Sequence, residues 1–527
     1  MNASPSYYGI PHEAWRPGQL EAVRWIVGNS GNLIVSAATG SGKTALAKAL
    51  SIYGPTVALV KTKSLQVNNY GKGYGYDVLM GRGNYTCVAQ EGKTCEDCLF
   101  GAQMNKCRFA KSCEYLTAKR IAMKSNAASV NYAYWLTTDT FKHRDNYAIV
   151  MDEAHLLPDI TLEFSGVLVS EEQRQKYNLP EFPEIYFDDV QDEKEKEARE
   201  KAIAWLEESY QRLKVITDSG QLKMIFDGDE DEDDESRAVR KLNDSVGSVL
   251  YYLSETKQFW YIRAGKFSYY SDGAYVGAFE AKPLTARYHF PGLFLAAPTN
   301  LLMSATIGNA ETFSKELGIS SYQFREIPSQ FTPSERPIID LGAPKISYNS
   351  PEADYDKQAT LIANAIKSVN REWCGIIHVT SKQEAFNLVK RLSKRGLANR
   401  VWVPASDFST SKTLSVWNRE KKRTRGAICV TWNMTEGVDL LEEKICISAK
   451  VPFKSLGSPF AAMRAKFSPD FYRLQAAWEL VQSLGRTRRG RPEDYGAENG
   501  LVAIADGNWS MVKNYIDSDI LAAIVRG

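Results

Sequence analysis

The sequence predicts an α/β protein of two parallel-sheet domains, the first interrupted by two inserted segments, and three observations predict it. GNLIVSAATGSGKTALAKAL runs an apolar strand, Leu33 to Val35, into a small-residue loop and then a helix rich in Ala and Leu. A second apolar strand, Tyr147 to Met151, ends in Asp152-Glu153-Ala154-His155. Strands that alternate with helices in this way build parallel sheets. The chain of 527 residues is also too long for one core, and at about 100–200 residues per domain it holds three or more units.

The loop after Val35 fits a phosphate cradle, with Ala37 where the first Gly usually stands. Ala38, Thr39, Gly40, Ser41 and Gly42 are small enough to let backbone N–H groups close on phosphates at a helix N-terminus. Lys43 would then reach the β- and γ-phosphates of ATP, and the Thr44 hydroxyl would ligate Mg²⁺. The second strand presents Asp152 and Glu153 at its C-terminal end, where α/β sheets hold catalytic groups. Asp152 would hold Mg²⁺ and Glu153 would orient and deprotonate the attacking water, with His155 coupling nucleotide state to neighbouring segments. Far downstream, LVQSLGRTRRGRPED carries Gln482, Gly485, Arg486 and Arg489. The spacing Q-x-x-G-R-x-x-R puts Arg486 and Arg489 on one face of a helix, suited to stabilising charge on a transferred phosphoryl group.

Composition sets the outer bounds. Apolar content of 44% and charged content of 24% suit a soluble globular protein, while a net charge of +2 names no partner. No run approaches 18 apolar residues and the N-terminus lacks a secretory pattern, so a non-secreted, cytoplasmic, reducing environment is expected, with no membrane partner. In that setting the five cysteines crowded into GRGNYTCVAQEGKTCEDCLFGAQMNKCRFAKSCEY are expected to ligate a metal or serve redox chemistry rather than form disulfides.

These elements, in this order, resemble a superfamily 2 helicase. RPGQLEAVRWI (Arg16, Gln19) is similar to the adenine-sensing segment, LVKTKSLQ (Lys61 to Gln66) to motif Ia, and LLMSATIGN (Ser304-Ala305-Thr306) to the coupling motif III. GIIHVTSKQEA is similar to motif IV, and MTEGVDLLEEK supplies Glu436, Gly437 and Asp439 of motif V. The cysteine segment, which begins GR-x-NY-x-C and ends C-x-Y, resembles that of the iron–sulfur helicases of the XPD/DinG type, as do ASVNYAYWL and KVPFKSLGSP. The resemblance implies two RecA-like motor domains, the first interrupted by a small iron–sulfur insert and a mainly helical arch insert. It implies an ATP-dependent DNA helicase working on single-stranded DNA and duplex junctions as a monomeric motor, in many members 5′ to 3′. Two other functions stay open, a translocase that remodels complexes without productive unwinding and a zinc-stapled nucleic-acid-binding switch.

A [4Fe–4S] cluster takes four thiolates, so one of the five cysteines is surplus. Cys87 and Cys113 sit in the family-like contexts NYTC and SCEY. The middle pair comes from Cys95, Cys98 and Cys107. Cys98 and Cys107 spread the ligands more evenly, whereas Cys95-x-x-Cys98 matches the family's C-x-x-C spacing and would serve zinc equally well. Residues 81–124 also carry eight Lys/Arg against four Asp/Glu, with Tyr85, Phe100, Phe109 and Tyr115 interleaved, a composition suited to single-stranded nucleic acid.

The expected divisions are 1–80 for the first part of motor 1, 81–130 for the cluster insert and 131–160 for the DEAH part. The arch occupies 161–290, motif III of motor 1 lies in 291–335, and motor 2 spans 336–527. Within the arch, Glu193 to Ile216 and Ser236 to Leu253 read as helices. The acidic run between Asp227 and Glu235 reads as a self-repelling loop, because it lacks the Gly and Glu of a calcium loop. FWYIRAGKFSYY reads as a hairpin turning at Ala264-Gly265-Lys266. Ile327 to Pro344 reads as the linker between motors, and NREKKRTRG as a solvated basic loop.

Overall fold

The computed structural model describes residues 4–38, 40–98, 100–186, 192–218, 232–256, 259–268, 275–329, 331–434, 443–485 and 500–527. The chain opens with β1 (Gly31–Ala37), β2 (Thr56–Val60), β3 (Asp77–Val78), β4 (Ala127–Asn131) and β5 (Ala148–Asp152). It then leaves the first sheet to form β6 (Val167–Ser170), β7 (Ile185–Tyr186), β8 (Trp260–Ser268) and β9 (Tyr275–Pro283). It returns through β10 (Thr299–Ser304) and β11 (Gln323–Ile327), which complete a seven-stranded parallel sheet in the order β11-β1-β10-β5-β2-β4-β3. Leu33 to Ala37 of β1 and every residue of β2, β5 and β10 are buried, as expected of parallel strands covered on both faces.

The second sheet is built from β12 (Ile338–Asp340), β13 (Gly375–His378), β14 (Val401–Trp402), β15 (Ile428–Thr431), β16 (Ile445–Ser448), β17 (Leu501–Ile504) and β18 (Ile524–Arg526). It too is parallel, in the order β14-β15-β13-β16-β17-β12-β18. Ile338–Asp340, inside the stretch expected to link the motors, is therefore already a strand of this sheet.

The arch is mainly helical, with strands beside it: helices Asp192–Asp218 and Glu232–Glu255 pack on an antiparallel sheet ordered β6-β9-β8-β7. Trp205 of the first helix stacks on Phe279 of β9 at 4.3 Å, inside a shared apolar cluster. One expectation changes, since Ala264-Gly265-Lys266 is not a turn. β8 runs unbroken through it, with Gly265 opposite Ala278, and the connection to β9 falls in 269–274, outside the described residues. Buried Trp260, Tyr261, Ile262 and Ala264 bind this strand to the core, which outweighs the turn preference of one glycine. The acidic run is split. Its first part lies outside the described residues, while Glu232 begins a helix in which Glu235 pairs with Lys176 and accepts from the Tyr177 hydroxyl at 2.6 Å.

Candidate nucleotide cleft and cysteine insert

The C-terminal ends of β1, β5 and β10 face elements of the second sheet across a cleft of about 860 Å³. Ala38, Lys61, Glu153, His155 and Thr306 line it from the first motor, and Arg336, Gln482 and Gly485 from the second. Gly40 and Gly42 have φ of 88° and 86°, a left-handed backbone that folds the loop back over the N-terminus of helix Lys43–Leu50. Lys43 Nζ donates to the Ala37 carbonyl at 3.3 Å, and Thr44 lies beside it in the first turn. Arg16 donates to the Gly40 carbonyl, and the Gln19 amide to the Ser41 and Gly42 carbonyls at 3.4 Å. Both side chains thus hold the loop itself. Ser41 Oγ and Thr306 Oγ1 are buried without a hydrogen-bond partner, leaving capacity that phosphate oxygens could use.

Asp152 is buried at the end of β5, where Tyr70 donates to its Oδ2 at 2.9 Å and Tyr132 to its carbonyl at 2.6 Å. Burial, then the adjacent Glu153 carboxylate, push it up to about 6 against the pull of Lys43. Glu153 itself has φ of 53°, which turns the chain sharply at the strand end. The Gln482 amide donates to His155 Nε2 at 2.8 Å, so Nδ1 carries the proton and bonds Ser304 Oγ, also at 2.8 Å. One imidazole therefore joins the DEAH segment, the SAT segment and helix Pro469–Leu484 of the second sheet's domain.

Thr39, Gly437, Asp439, Arg486 and Arg489 lie outside the described residues. Helix Pro469–Leu484 ends at Gly485, one residue before Arg486. Tyr70 and Tyr132 escape sequence reasoning, since no spacing links them to Asp152. Also unforeseen is a C-terminal segment that enters the cleft. Asp517 and Asp519 line it, and burial, followed by Glu326 and Asp519, outweighs hydrogen bonds from Ser36 and Gly308 to push the Asp517 carboxyl to about 7. Gly308 has φ of 62°, and a Cβ there would meet the Tyr515 carbonyl at 1.9 Å. Gly308→Ala is therefore expected to unseat this segment at a cost of about 2–4 kcal/mol, read as lost thermal stability.

In the cysteine insert an antiparallel Thr86–Thr94 bridge sets Cys87 opposite Lys93 and Cys95 opposite Tyr85, with Cys87 N–H donating to the Lys93 carbonyl at 2.9 Å and Cys95 N–H to the Tyr85 carbonyl at 2.7 Å. Cys95 Sγ lies 3.8 Å from Cys113 Sγ, and both are buried, as is Cys98. Cys98 and Cys107 end two short helical turns, Cys95–Asp97 and Gly101–Lys106. Among the described residues no three His, Cys, Asp or Glu side chains converge as a metal site. Tyr115 is buried edge-on to Tyr85 and bonded to the Tyr134 hydroxyl at 3.0 Å, so it serves the core, whereas Phe100 is exposed.

Residues 365–508 match the helicase C-terminal domain family. No curated protein matches the chain. A solved XPD helicase structure is 15% identical, with 96% of this chain and 98% of that one covered and a TM-score of 0.52. An apo XPD structure is 14% identical over 92% and 94%, with a TM-score of 0.50. The chain has the fold of the solved XPD structures. Within that XPD-like fold the two parallel sheets are the RecA-like domains, and the β6–β9 sheet with its two helices is the body inserted into the first. Among the described residues of this XPD-like chain no helix is long and apolar enough to cross a membrane.

Proposed function

We propose that the chain is an ATP-dependent DNA helicase that translocates on single-stranded DNA, 5′ to 3′, and couples hydrolysis between its two motors to duplex unwinding. One observation carries this reading: His155 hydrogen-bonds at once to Ser304 of motor 1 and Gln482 of motor 2, in a cleft also lined by Ala38 of the phosphate loop and by Glu153. A relay of this kind lets a change at a bound phosphate alter the apposition of the motors.

The unpartnered Ser41 and Thr306 hydroxyls and the glycine-turned loop suit a nucleoside triphosphate, bound through Ala38 to Thr44 with Arg16 and Gln19 bracing the loop. Thr44 and Asp152 would hold Mg²⁺, which neutralises charge on the transferred phosphoryl group. Glu153 orients the attacking water and accepts its proton, Arg486 and Arg489 stabilise the transferring phosphoryl group, and Gly437 and Asp439 belong to motif V. The protein acts as a monomer inside the cell, on single strands and duplex junctions.

Five thiols within one insert are the donor type a [4Fe–4S] cluster needs. Cys87 and Cys113 would hold it with two of Cys95, Cys98 and Cys107, and the cluster would cross-link an insert too small for its own core. The contact between Cys95 and Cys113 favours Cys95 over Cys107, against the more even Cys98–Cys107 spread. Cys95→Ser is expected to lose most bound iron and Cys107→Ser to keep it, read by iron and sulfide analysis of anaerobically purified protein. The reverse pattern would restore the Cys98–Cys107 pair, and stoichiometric zinc in colourless protein would remove the cluster.

The test of function is strand displacement from 5′-tailed and 3′-tailed duplexes with ATP and Mg²⁺. Release from the 5′-tailed substrate is expected. Release from the 3′-tailed one alone would reverse the direction. ATP hydrolysis that clears a protein block without separating strands would replace unwinding by remodelling.

A further inference from the structure

After β17 the chain leaves the second motor, crosses to the first, and returns as β18 at the edge of the second sheet. The crossing is anchored by Asp517, which is 6% exposed. Its Oδ1 accepts from Ser36 Oγ and from the Gly308 N–H, the latter at 3.0 Å. Ser36 lies in β1, seven residues before Lys43, and its Oγ also accepts from the Ile307 N–H at 3.3 Å. Gly308 follows the SAT segment. One carboxylate therefore grips both the strand that feeds the phosphate loop and the loop that follows the His155 partner Ser304.

Neighbouring contacts hold the crossing in place. Asp519 Oδ2 accepts from the Ser329 N–H at 3.0 Å, and Glu326 accepts from Ser518 Oγ at 2.8 Å and the Asp519 N–H at 3.3 Å. The Asp517 link is separate from the His155 relay, since no residue is shared between them. It is also buried, so losing Asp517 would leave both its donors without an acceptor.

We propose that Asp517 is a positioning residue for nucleotide turnover, tying motor 2 directly to the phosphate-loop strand and the post-SAT loop so that motor apposition sets the geometry of the ATP site. The inference rests on the ATP-motor reading above. Asp517 touches no reacting atom in this scheme. It acts through Ser36 and Gly308, and so affects turnover rather than nucleotide affinity.

The test measures ATP turnover with and without an oligothymidine strand, at saturating ATP, normalised to folded protein. Asp517→Ala is expected to lower strand-stimulated kcat about tenfold or more, with KM for ATP within about threefold, because a buried hydrogen-bond acceptor is lost without a change at the phosphates. Asp517→Asn keeps an acceptor oxygen for both donors and should recover most of that kcat, whereas Asp517→Leu, which fills the space without an acceptor, should stay as low as the alanine variant. Ser36→Ala removes the other end of the link with little risk to folding, so it carries the test if Asp517→Ala does not fold. Its kcat should fall similarly, and the double variant should be no worse than either single one. Strand-stimulated kcat unchanged in folded Ser36→Ala would overturn the proposal while leaving the motor reading intact. Absence of ATP hydrolysis in the wild-type chain would instead overturn the motor reading, and this inference with it.

Discussion

Lys43→Ala is expected to lower ATP turnover by about 10²–10³-fold, the scale seen when one positioned electrostatic donor is removed from a transition state. Strand displacement should vanish with it, while binding of single-stranded DNA should persist, since nothing in the cleft assigns Lys43 to nucleic acid. The fold should be indifferent. Lys43 sits at the helix start, half-buried, and donates only a 3.3 Å hydrogen bond to the Ala37 carbonyl, so thermal stability should barely move. Glu153→Gln makes the informative comparison: it should retain ATP but not hydrolyse it, because the base is lost and the phosphate contacts stay. Turnover and unwinding at wild-type rates in Lys43→Ala would refute the assignment of the cleft.

Arg464→Ala is expected to destabilise the protein by about 3–5 kcal/mol, the cost of leaving a buried charge without its partner. Arg464, buried in helix Pro459–Phe467 of motor 2, donates to Asp159 of motor 1 at 2.6 Å and to buried Glu316 at 3.2 Å. Lys454 joins Asp159 at 2.6 Å, and the Gln475 amide donates to both its oxygens at 3.3 Å. The Asp159 side chain keeps 43% of its surface, but that surface opens into a cavity of about 360 Å³ that Phe460, Phe471 and Arg464 also line.

This site also fixes the sign of an acid response. Burial works to raise the Asp159 carboxyl, but Arg464 and Lys454 outweigh it and hold the group at about 2. With the unfolded value near about 3.9, the native state binds fewer protons, so this stability is present above about pH 4 and is lost as pH falls toward 2. Glu316 goes the other way, because burial raises it despite Arg464. Without Arg464, Glu316 rises further and takes up a proton on folding. Arg464→Ala should therefore lose less between pH 4 and 2 than the wild type, and should gain stability on mild acidification from neutral pH. Urea unfolding at stepped pH reads both effects, and parallel profiles for the two proteins would refute the pairing.

The phosphate-loop and DEAH elements of the cleft were legible because each is short and contiguous. A phosphate loop needs a strand, small residues and a Lys-Thr at one helix start. The DEAH segment needs a strand end, and both show in the local sequence. The arch was legible as helices because Ile203, Leu206, Tyr210 and Leu213 keep helical spacing on the face packed into the arch core. Its strands were misread at Gly265, where a turn former sits inside a strand held by buried aromatic neighbours.

Sequence by itself determined the α/β class and the segments proposed to meet phosphate, since those depend on hydrophobic period and on backbone geometry within a few positions. Only the tertiary structure decided which distant groups share a site. Tyr70 reaches Asp152, Cys95 meets Cys113 and Arg464 closes on Asp159 across 305 positions. Asp517 reaches Ser36 across 481. No local spacing encodes such pairs, because burial and charge complementarity select them only after the two sheets have packed and excluded water from the seam between them.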